Sequence, residues 1–150
     1  MKIQMATAEH LEELALLFDA YRMFYRKQPD IAGARQFLQE RMAKGESVIF
    51  IATDAHGTVA GFTQLYPLFS STHMKRWWLL NDLFVHPDFR GKGVSKLLIG
   101  RCKALAIETH AAGLSLETEI TNHIGNRLYP DVGFELDREH NYYYWENTLQ

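Results

Sequence analysis

Apolar residues recur three and four positions apart in four parts of the chain, and this spacing predicts four helices. The first begins after Thr7, a residue type suited to capping, and Pro29 ends it. The second covers residues 31–44 and the third runs from Val94 to about His110. A short fourth helix is predicted over 122–132.

Short apolar runs bounded by turn residues predict strands between these helices. Seven are expected, over residues 2–5, 47–53, 58–66, 77–85, 114–119, 133–137 and 141–147. Residues 54–57 form a turn that makes the second and third strands a hairpin. Residues 67–76 are interpreted as a polar loop.

The element order β-α-α-β-β-β-α-β-α-β-β predicts an α/β domain spanning residues 1–150. One mixed sheet of about seven strands should carry helices on both faces. The connection from strand 77–85 through a helix to strand 114–119 should be a right-handed parallel crossover.

Composition excludes several functional classes. The formal charge of −2 provides no general attraction to nucleic acid, and the apolar stretches are far shorter than the ~20 residues of a membrane span. A single cysteine and seven scattered histidines show no metal-ligand spacing. We therefore expect a cytoplasmic protein that binds no nucleic acid, membrane or metal.

The most informative segment is a strand that runs into a glycine-rich turn and then a helix. The turn, residues 90–95, reads Arg-Gly-Lys-Gly-Val-Ser. Backbone N–H groups converge at such a turn and the helix dipole adds positive potential, so the pattern favours phosphate. It is not a Walker A sequence, and it lacks the third glycine of a dinucleotide fingerprint. A turn that merely joins strand to helix is the structural alternative.

Two motifs together resemble the GCN5-related N-acetyltransferase (GNAT) family. Residues 90–95 resemble its acyl-CoA signature Gln/Arg-x-x-Gly-x-Gly/Ala, with Ser95 where Gly or Ala is usual. A second segment resembles the family pattern Asn-x-x-Ala-x-x-Leu-Tyr-x-x-x-Gly-Phe and is carried by Asn122, Gly125, Leu128, Tyr129, Gly133 and Phe134. Gly125 replaces the usual Ala, at a cost of about 1 kcal/mol in helix propensity.

The resemblance implies the GNAT fold and acetyl-CoA as co-substrate. Its pyrophosphate is expected on the turn and its pantetheine chain beside the preceding strand, with asparagines of the short helix on the other side. The implied cofactor-binding residues are Leu83, Phe84, Val85, Arg90, Gly91, Lys92, Gly93, Val94, Ser95, Asn122 and Asn126.

The reaction implied by the resemblance is attack of a primary amine on the thioester in a ternary complex. An alkylamine of pKa ~10.4 is neutral about once in 2,500 molecules at pH 7, so its deprotonation costs about 4.6 kcal/mol. Tyr129 matches the family position that faces the sulfur and is the expected general acid; a buried tyrosine that packs the short helix against Phe134 is the alternative. Asp82 is the candidate base, although strand alternation places it on the face opposite Asn81; Glu117 or ordered water are alternatives.

The acceptor is expected to be a small-molecule amine or a lysine-containing peptide. Residues 80–85 resemble a segment of the diamine and polyamine N-acetyltransferases, although Asn81 stands where that branch has glutamate. Tyr21, Tyr25, Asn81 and Glu117 are the candidate substrate-binding residues. Helical periodicity alone would make Tyr21 and Tyr25 core residues, and Glu117 could belong to a solvated strand end.

Two expectations concern other levels of function. The predicted last strand carries aromatic residues on both faces, Tyr142 to Trp145, and this favours a homodimer formed partly through that end.

Because Asn81 replaces a carboxylate, a catalytically weak acyl-CoA-binding sensor or regulator is the alternative to an enzyme.

Overall fold

A computed structural model describes residues 1–149 and contains five strands and four α-helices within them. The strands are β1 (Lys2–Met5), β2 (Val48–Thr53), β3 (Val59–Ser70), β4 (Lys75–Val85) and β5 (Leu114–Ser115). The helices are α1 (Leu11–Phe24), α2 (Ile31–Ala43), α3 (Val94–Glu108) and α4 (His123–Asp131). The residues group into two compact units: Met1–Glu117 holds all five strands and α1–α3, and the second, from Thr118 onward, holds α4.

The first unit is built on one mixed sheet of strand order β1-β2-β3-β4-β5. The first four strands are antiparallel, whereas β5 runs parallel to β4 and pairs with it at only two positions. Two predictions are therefore confirmed: the sheet is mixed, and the strands that precede and follow α3 in the chain, β4 and β5, pair in parallel.

Helices cover both faces of this sheet. On one face, α1 and α2 bury Leu14 and Leu38 against a cluster that includes Phe62. On the other, the Cys102 thiol of α3 donates to the Thr63 hydroxyl over 3.4 Å. Because Phe62 and Thr63 are neighbours in β3, their side chains point to opposite faces, so the sheet forms the middle of three layers. None of the helices in residues 1–149 is long and apolar enough to span a membrane.

The prediction of seven strands is wrong. Strand 114–119 is reduced to Leu114–Ser115, and residues 133–137 and 141–147 lie outside any strand of the described chain. The period of two was visible in these segments, but a strand also requires a neighbour with which to pair.

The predicted loop over 67–76 is also wrong, because β3 and β4 continue through it to a turn at residues 71–74. Pro67 suggested a break, yet it lies opposite Trp78 in the ladder. The Trp78 N–H donates to Gly113 on the β5 side, so residues 67 and 78 form a non-hydrogen-bonded pair. The N–H group that a proline lacks would point away from β4 at this position. Pro67 therefore costs the ladder between β3 and β4 no hydrogen bond.

Gly61 allows the close approach of β3 and β4. A Cβ atom built there would lie 2.8 Å from the Phe84 carbonyl oxygen, a backbone atom that cannot move without shifting β4. We expect Gly61→Ala to lower the free energy of unfolding by about 1–3 kcal/mol, the usual cost of overpacking. Urea denaturation followed by circular dichroism measures this change.

Gly100→Ala is the matched control, because the exposed Gly100 of α3 has open space around its Cβ position. Alanine is the better helix former by about 1 kcal/mol, so this variant should be as stable as the parent chain or more so. Equal destabilisation of the two variants would contradict the close approach at Gly61.

A candidate active site along strand β4

The candidate site is organised by an extra residue in β4. Asp82 lies opposite Gln64 and Leu80 lies opposite Leu65, so Asn81 is a β-bulge without a partner on β3. A bulge bends and twists its strand. Pairing between β4 and β5 ends at Leu79, two residues before the bulge. Beyond this point β4 has one paired side and one open side in the described chain.

The backbone of residues 83–85 presents hydrogen-bonding groups to this open side. The His86 N–H donates to Ala60, and bonded pairs alternate along an antiparallel ladder, so Leu83 and Val85 direct their N–H and C=O groups away from β3. The Val85 carbonyl oxygen accepts from Arg90 Nε over 3.0 Å. The remaining groups can pair with an extended ligand as another strand would. Phe84 is buried on the α1 face, where its ring contacts Tyr21.

The glycine-rich turn follows directly and is shaped to receive an anion. Gly91 and Gly93 have φ angles of 73° and 76°, and nothing lies within 4 Å of either Cβ position. Gly93 is the N-cap residue of α3 and has no side chain to satisfy the first N–H groups of the helix. These donors and the positive end of the dipole of the 15-residue helix lie together at the turn.

The side chains of the turn support this shape. Arg90 packs its guanidinium over the Phe84 ring at 5.4 Å, and Lys92 Nζ donates to the Asp88 carbonyl over 3.0 Å. Both cations are anchored by these contacts and lie at the surface. Val94 is buried beneath the helix start and Ser95 is half-buried. The residues present therefore fit a pyrophosphate group.

Asp82 is a buried carboxylate on the α1 face of the sheet. Only 2% of the residue is exposed. Gln64 Nε2 donates to one carboxylate oxygen over 2.5 Å, and Asn81 Nδ2 donates to the other over 2.9 Å. Burial raises the pKa of Asp82 above its ordinary value, and hydrogen bonds from Gln64, Asn81 and Tyr21 offset part of this increase.

The expectation that Asn81 and Asp82 face opposite ways is wrong. Their side chains are joined by the hydrogen bond between Asn81 Nδ2 and Asp82 Oδ1. The bulge is the physical reason, because an extra residue interrupts the strict alternation of a regular strand. The exposed Asn81 therefore covers one oxygen of the buried acid.

Sequence reasoning missed Gln64, which contacts Asp82, and Ser47, which contacts Gln64. It also missed Tyr66, which lies close enough to be affected by the Asp82 charge. The Gln64 amide oxygen accepts from the Ser47 hydroxyl over 2.9 Å, which orients its NH2 group toward Asp82. Burial, followed by the nearby Asp82 charge, raises the pKa of Tyr66 to about 12. The sequence signal that could have identified Gln64 is its position as the single amide side chain in the apolar run of β3.

Tyr21 belongs both to the core and to the site. Its ring packs against Phe62 and Phe84, as helical periodicity required. Its hydroxyl reaches the bulge and donates to the Asn81 carbonyl over 3.2 Å. Tyr25 stacks edge-on against Tyr21 with ring centroids 5.1 Å apart. Glu117 is exposed and follows β5 by two residues.

The second unit holds the remaining predicted residues around α4. The Asn122 side chain caps this helix by accepting the Gly125 N–H over 3.1 Å, and its Nδ2 donates to the Thr118 hydroxyl over 2.8 Å. Asn126 Nδ2 donates to backbone carbonyls of the preceding turn, including that of Glu119 at 2.9 Å. Both side chains thus hold the start of α4 in place.

Tyr129 lies half-buried on α4, with its ring edge-on to Phe134 at 6.0 Å. Gly125 is buried beside it, and a Cβ there would lie 2.6 Å from Asn122 Nδ2 and 3.3 Å from the Tyr129 ring. Glycine at position 125, where the family pattern has alanine, therefore leaves room for the capping side chain of Asn122 and for the Tyr129 ring.

Comparisons with known proteins identify a matching family and similar relatives. A family model described as Acetyltransferase (GNAT) family matches residues 13–134. An uncharacterized N-acetyltransferase, YhfO, of Bacillus subtilis strain 168 is 44% identical over 137 residues, which cover 91% of each chain.

Solved structures show the same fold. A crystal structure of a probable acetyltransferase has a TM-score of 0.95 and 38% identity, with both chains fully covered. A complex of AAC(6')-Iy with the bisubstrate analog CoA-S-monomethyl-acetylneamine has a TM-score of 0.80 at 23% identity, covering 97% of each chain. At that identity the second likeness concerns the fold alone.

Proposed function

The chain belongs to the acetyltransferase (GNAT) family and is an N-acetyltransferase, and we propose that it transfers the acetyl group of acetyl-CoA to a primary amine by direct attack. The amine nitrogen forms the new bond to the carbonyl carbon, the carbon–sulfur bond breaks, and coenzyme A leaves as a thiolate. The amine must lose a proton and the thiolate must gain one. Residues of this chain are needed for both transfers.

The donor is assigned to the open side of β4 and the glycine-rich turn. Backbone N–H groups of residues 91–95 would hold the pyrophosphate, and the groups of Leu83 and Val85 would pair with the pantetheine chain. Bound acetyl-CoA supplies the thioester. Asn122 and Asn126 are proposed to support its binding by holding the start of α4.

Asp82 is proposed as the general base. The observation that supports this role is that its carboxylate is buried and lies next to the bulge at Asn81. Its raised pKa makes it a stronger base than an exposed aspartate. Rotation of the exposed Asn81 amide would open Asp82 Oδ1 to the amine, directly or through one water. Gln64 would keep the other oxygen in place.

Tyr129 is proposed as the general acid. A free thiol has a pKa of ~8.5 and a phenol of ~10, so proton transfer from tyrosine to the thiolate costs about 2 kcal/mol. This cost is small enough for a phenol held against the sulfur to donate as the carbon–sulfur bond breaks. The phenol would donate its proton to the leaving sulfur and regain one from solvent after product release.

The acceptor side is assigned to Tyr21, Tyr25, Asn81 and Glu117. Aromatic faces attract an ammonium group, and an exposed carboxylate adds long-range attraction. This chemistry suits a small-molecule amine or a lysine-containing peptide. A polyamine acceptor and a cytoplasmic location stay predictions.

One observation favours the alternative, a weakly active acyl-CoA sensor. Both oxygens of Asp82 already accept hydrogen bonds within the chain, as they would in a purely structural role. Incubation with acetyl-CoA and a panel of polyamines, amino acids and lysine peptides, with detection of free thiol, separates the two. Thiol release supports the enzyme, whereas tight coenzyme A binding without release from any acceptor supports the sensor.

The base assignment predicts an acidic limb in the pH profile of kcat/KM. Because the pKa of Asp82 is raised above its ordinary value of 3.8, activity should fall as pH drops through that raised value. Asp82→Asn should lower kcat/KM at neutral pH by about 10²–10⁴ and abolish this limb.

Asp19→Asn is the matched control for loss of a buried carboxylate. Asp19 is 3% exposed, pairs with Arg22 on α1 and accepts the Asp30 N–H over 3.0 Å. This variant should keep the acidic limb even if it is less stable. An unchanged limb in Asp82→Asn would exclude Asp82 as the base.

The acid assignment predicts that Tyr129→Phe lowers kcat at least tenfold, because the thiolate then leaves without a proton donor. Steady-state thiol release with a confirmed acceptor measures the rate. Tyr144→Phe removes the hydroxyl of an exposed tyrosine in the same unit and should leave kcat unchanged. A loss below threefold in Tyr129→Phe would remove the assignment.

A further inference from the structure

The sheet face that carries Asp82 continues beyond it as a row of apolar side chains. Gln64 and Asp82 lie opposite each other in the ladder and are joined by a hydrogen bond, so both side chains point to the α1 face. Alternation along β3 and pairing with β4 place four further side chains on the same face. We call these four residues the apolar strip: Tyr66, Leu68, Trp77 and Leu79.

Two further observations agree with this placement. Tyr66 lies close enough to Asp82 for the charge of the carboxylate to act on its hydroxyl. Trp78, in contrast, points to the other face, where its indole N–H donates over 2.9 Å to Thr109 at the end of α3. The bulge brings Leu79 to the side of Asp82, because residues three apart in a regular strand point to opposite faces.

The apolar strip is accessible and its largest ring is held in place. Leu68 is 41% exposed, and the other three side chains are half-buried. The Trp77 indole N–H donates to the Ser115 hydroxyl over 2.9 Å. Its ring lies against Gly113, where a Cβ atom would be only 2.8 Å from it. A ring that is already fixed can bind an apolar group at a small cost in side-chain entropy.

The strip offers no partner to a second positive charge. Asp82 is the single carboxylate in the sequences of β3, β4 and β5. Lys75 begins β4 beyond the strip, and Arg41, whose charge acts on the tyrosine of the strip, is already paired with Glu46. The exposed Glu117 follows β5 and would attract any amine at long range. A second ammonium group on the strip would therefore lose water without gaining an ion pair.

We propose that the acceptor is a small primary amine with a single positive charge and an apolar tail, and that this tail lies along the apolar strip while the amine faces Asp82. This inference rests on the proposed function and narrows its acceptor class. A strand advances about 3.4 Å per residue, so the strip begins about 7 Å from the pair of Gln64 and Asp82 and reaches to about 14 Å. A long tail can contact it, whereas a short one cannot.

Three amines test the proposal in the assay for free coenzyme A thiol: octylamine, propylamine and 1,8-diaminooctane. Octylamine should have a kcat/KM at least about tenfold above that of propylamine, because each buried methylene group favours binding. The diamine has the same chain length but a second ammonium group, so it should lose most of this gain. All three are ordinary alkylamines, so basicity does not account for such a difference.

The outcomes separate this inference from the proposed function. Thiol release from propylamine, the diamine or the wider panel of acceptors at a rate equal to or above that from octylamine would overturn the apolar acceptor and leave acetyl transfer standing. Release from no amine at all would overturn both.

Two neighbours in β3 supply matched variants, because Leu68 lies on the strip and the 77%-exposed Phe69 points to the opposite face. Leu68→Glu should lower kcat/KM for octylamine at least about tenfold, mainly through KM, because a charge replaces apolar surface. It should raise kcat/KM for 1,8-diaminooctane, whose second ammonium group gains a partner. Phe69→Glu should change neither value. Trp77→Phe keeps an apolar ring and should retain the preference for octylamine.

Sedimentation of the same variants tests the other possible occupant of the strip, a second copy of this chain. We expect Leu68→Glu and the parent chain to sediment alike. A changed oligomeric state with unchanged octylamine kinetics would assign the strip to a contact between copies and overturn the proposal. Equal effects of Leu68→Glu and Phe69→Glu on the octylamine kinetics would also overturn it.

Discussion

The extra residue at Asn81 is the constraint on which the rest of the candidate site depends. It interrupts the ladder between β3 and β4, which continues on both sides of it, and β4 stops pairing with β5 two residues earlier. The bulge brings the Asn81 side chain to the carboxylate of Asp82. It lies directly before the stretch of β4 in which the backbone groups of Leu83 and Val85 are open. A regular strand would not bring the Asn81 and Asp82 side chains together, because its side chains would alternate.

The bulge also explains how a buried acid is tolerated. An unpaired buried polar group costs about 1–3 kcal/mol, and a charged group costs more. Gln64 and Asn81 each satisfy one oxygen of Asp82, and Ser47 in turn orients Gln64. Burial still dominates, so the pKa of Asp82 is raised. The fold thus keeps a carboxylate of increased basicity one residue before the open stretch of β4.

The sequence predicted those features that depend on local periodicity and missed those that depend on pairing. The helices and the parallel crossover follow from apolar spacing and from the order of elements. The bulge does not, because no residue pattern in β4 marks Asn81 as unpaired. Gln64 is recognisable as part of the site only when β3 is aligned with β4. The last two predicted strands have the period of two but lack a partner in the described chain.

Amide hydrogen exchange in β4, measured with and without coenzyme A, tests the central claim most directly. The N–H groups of Leu83 and Val85 should exchange rapidly in the free protein and more slowly with coenzyme A bound. The Phe84 N–H, which faces β3, should be protected in both states. Binding of coenzyme A without any change at Leu83 and Val85 would contradict the role of the open side of β4.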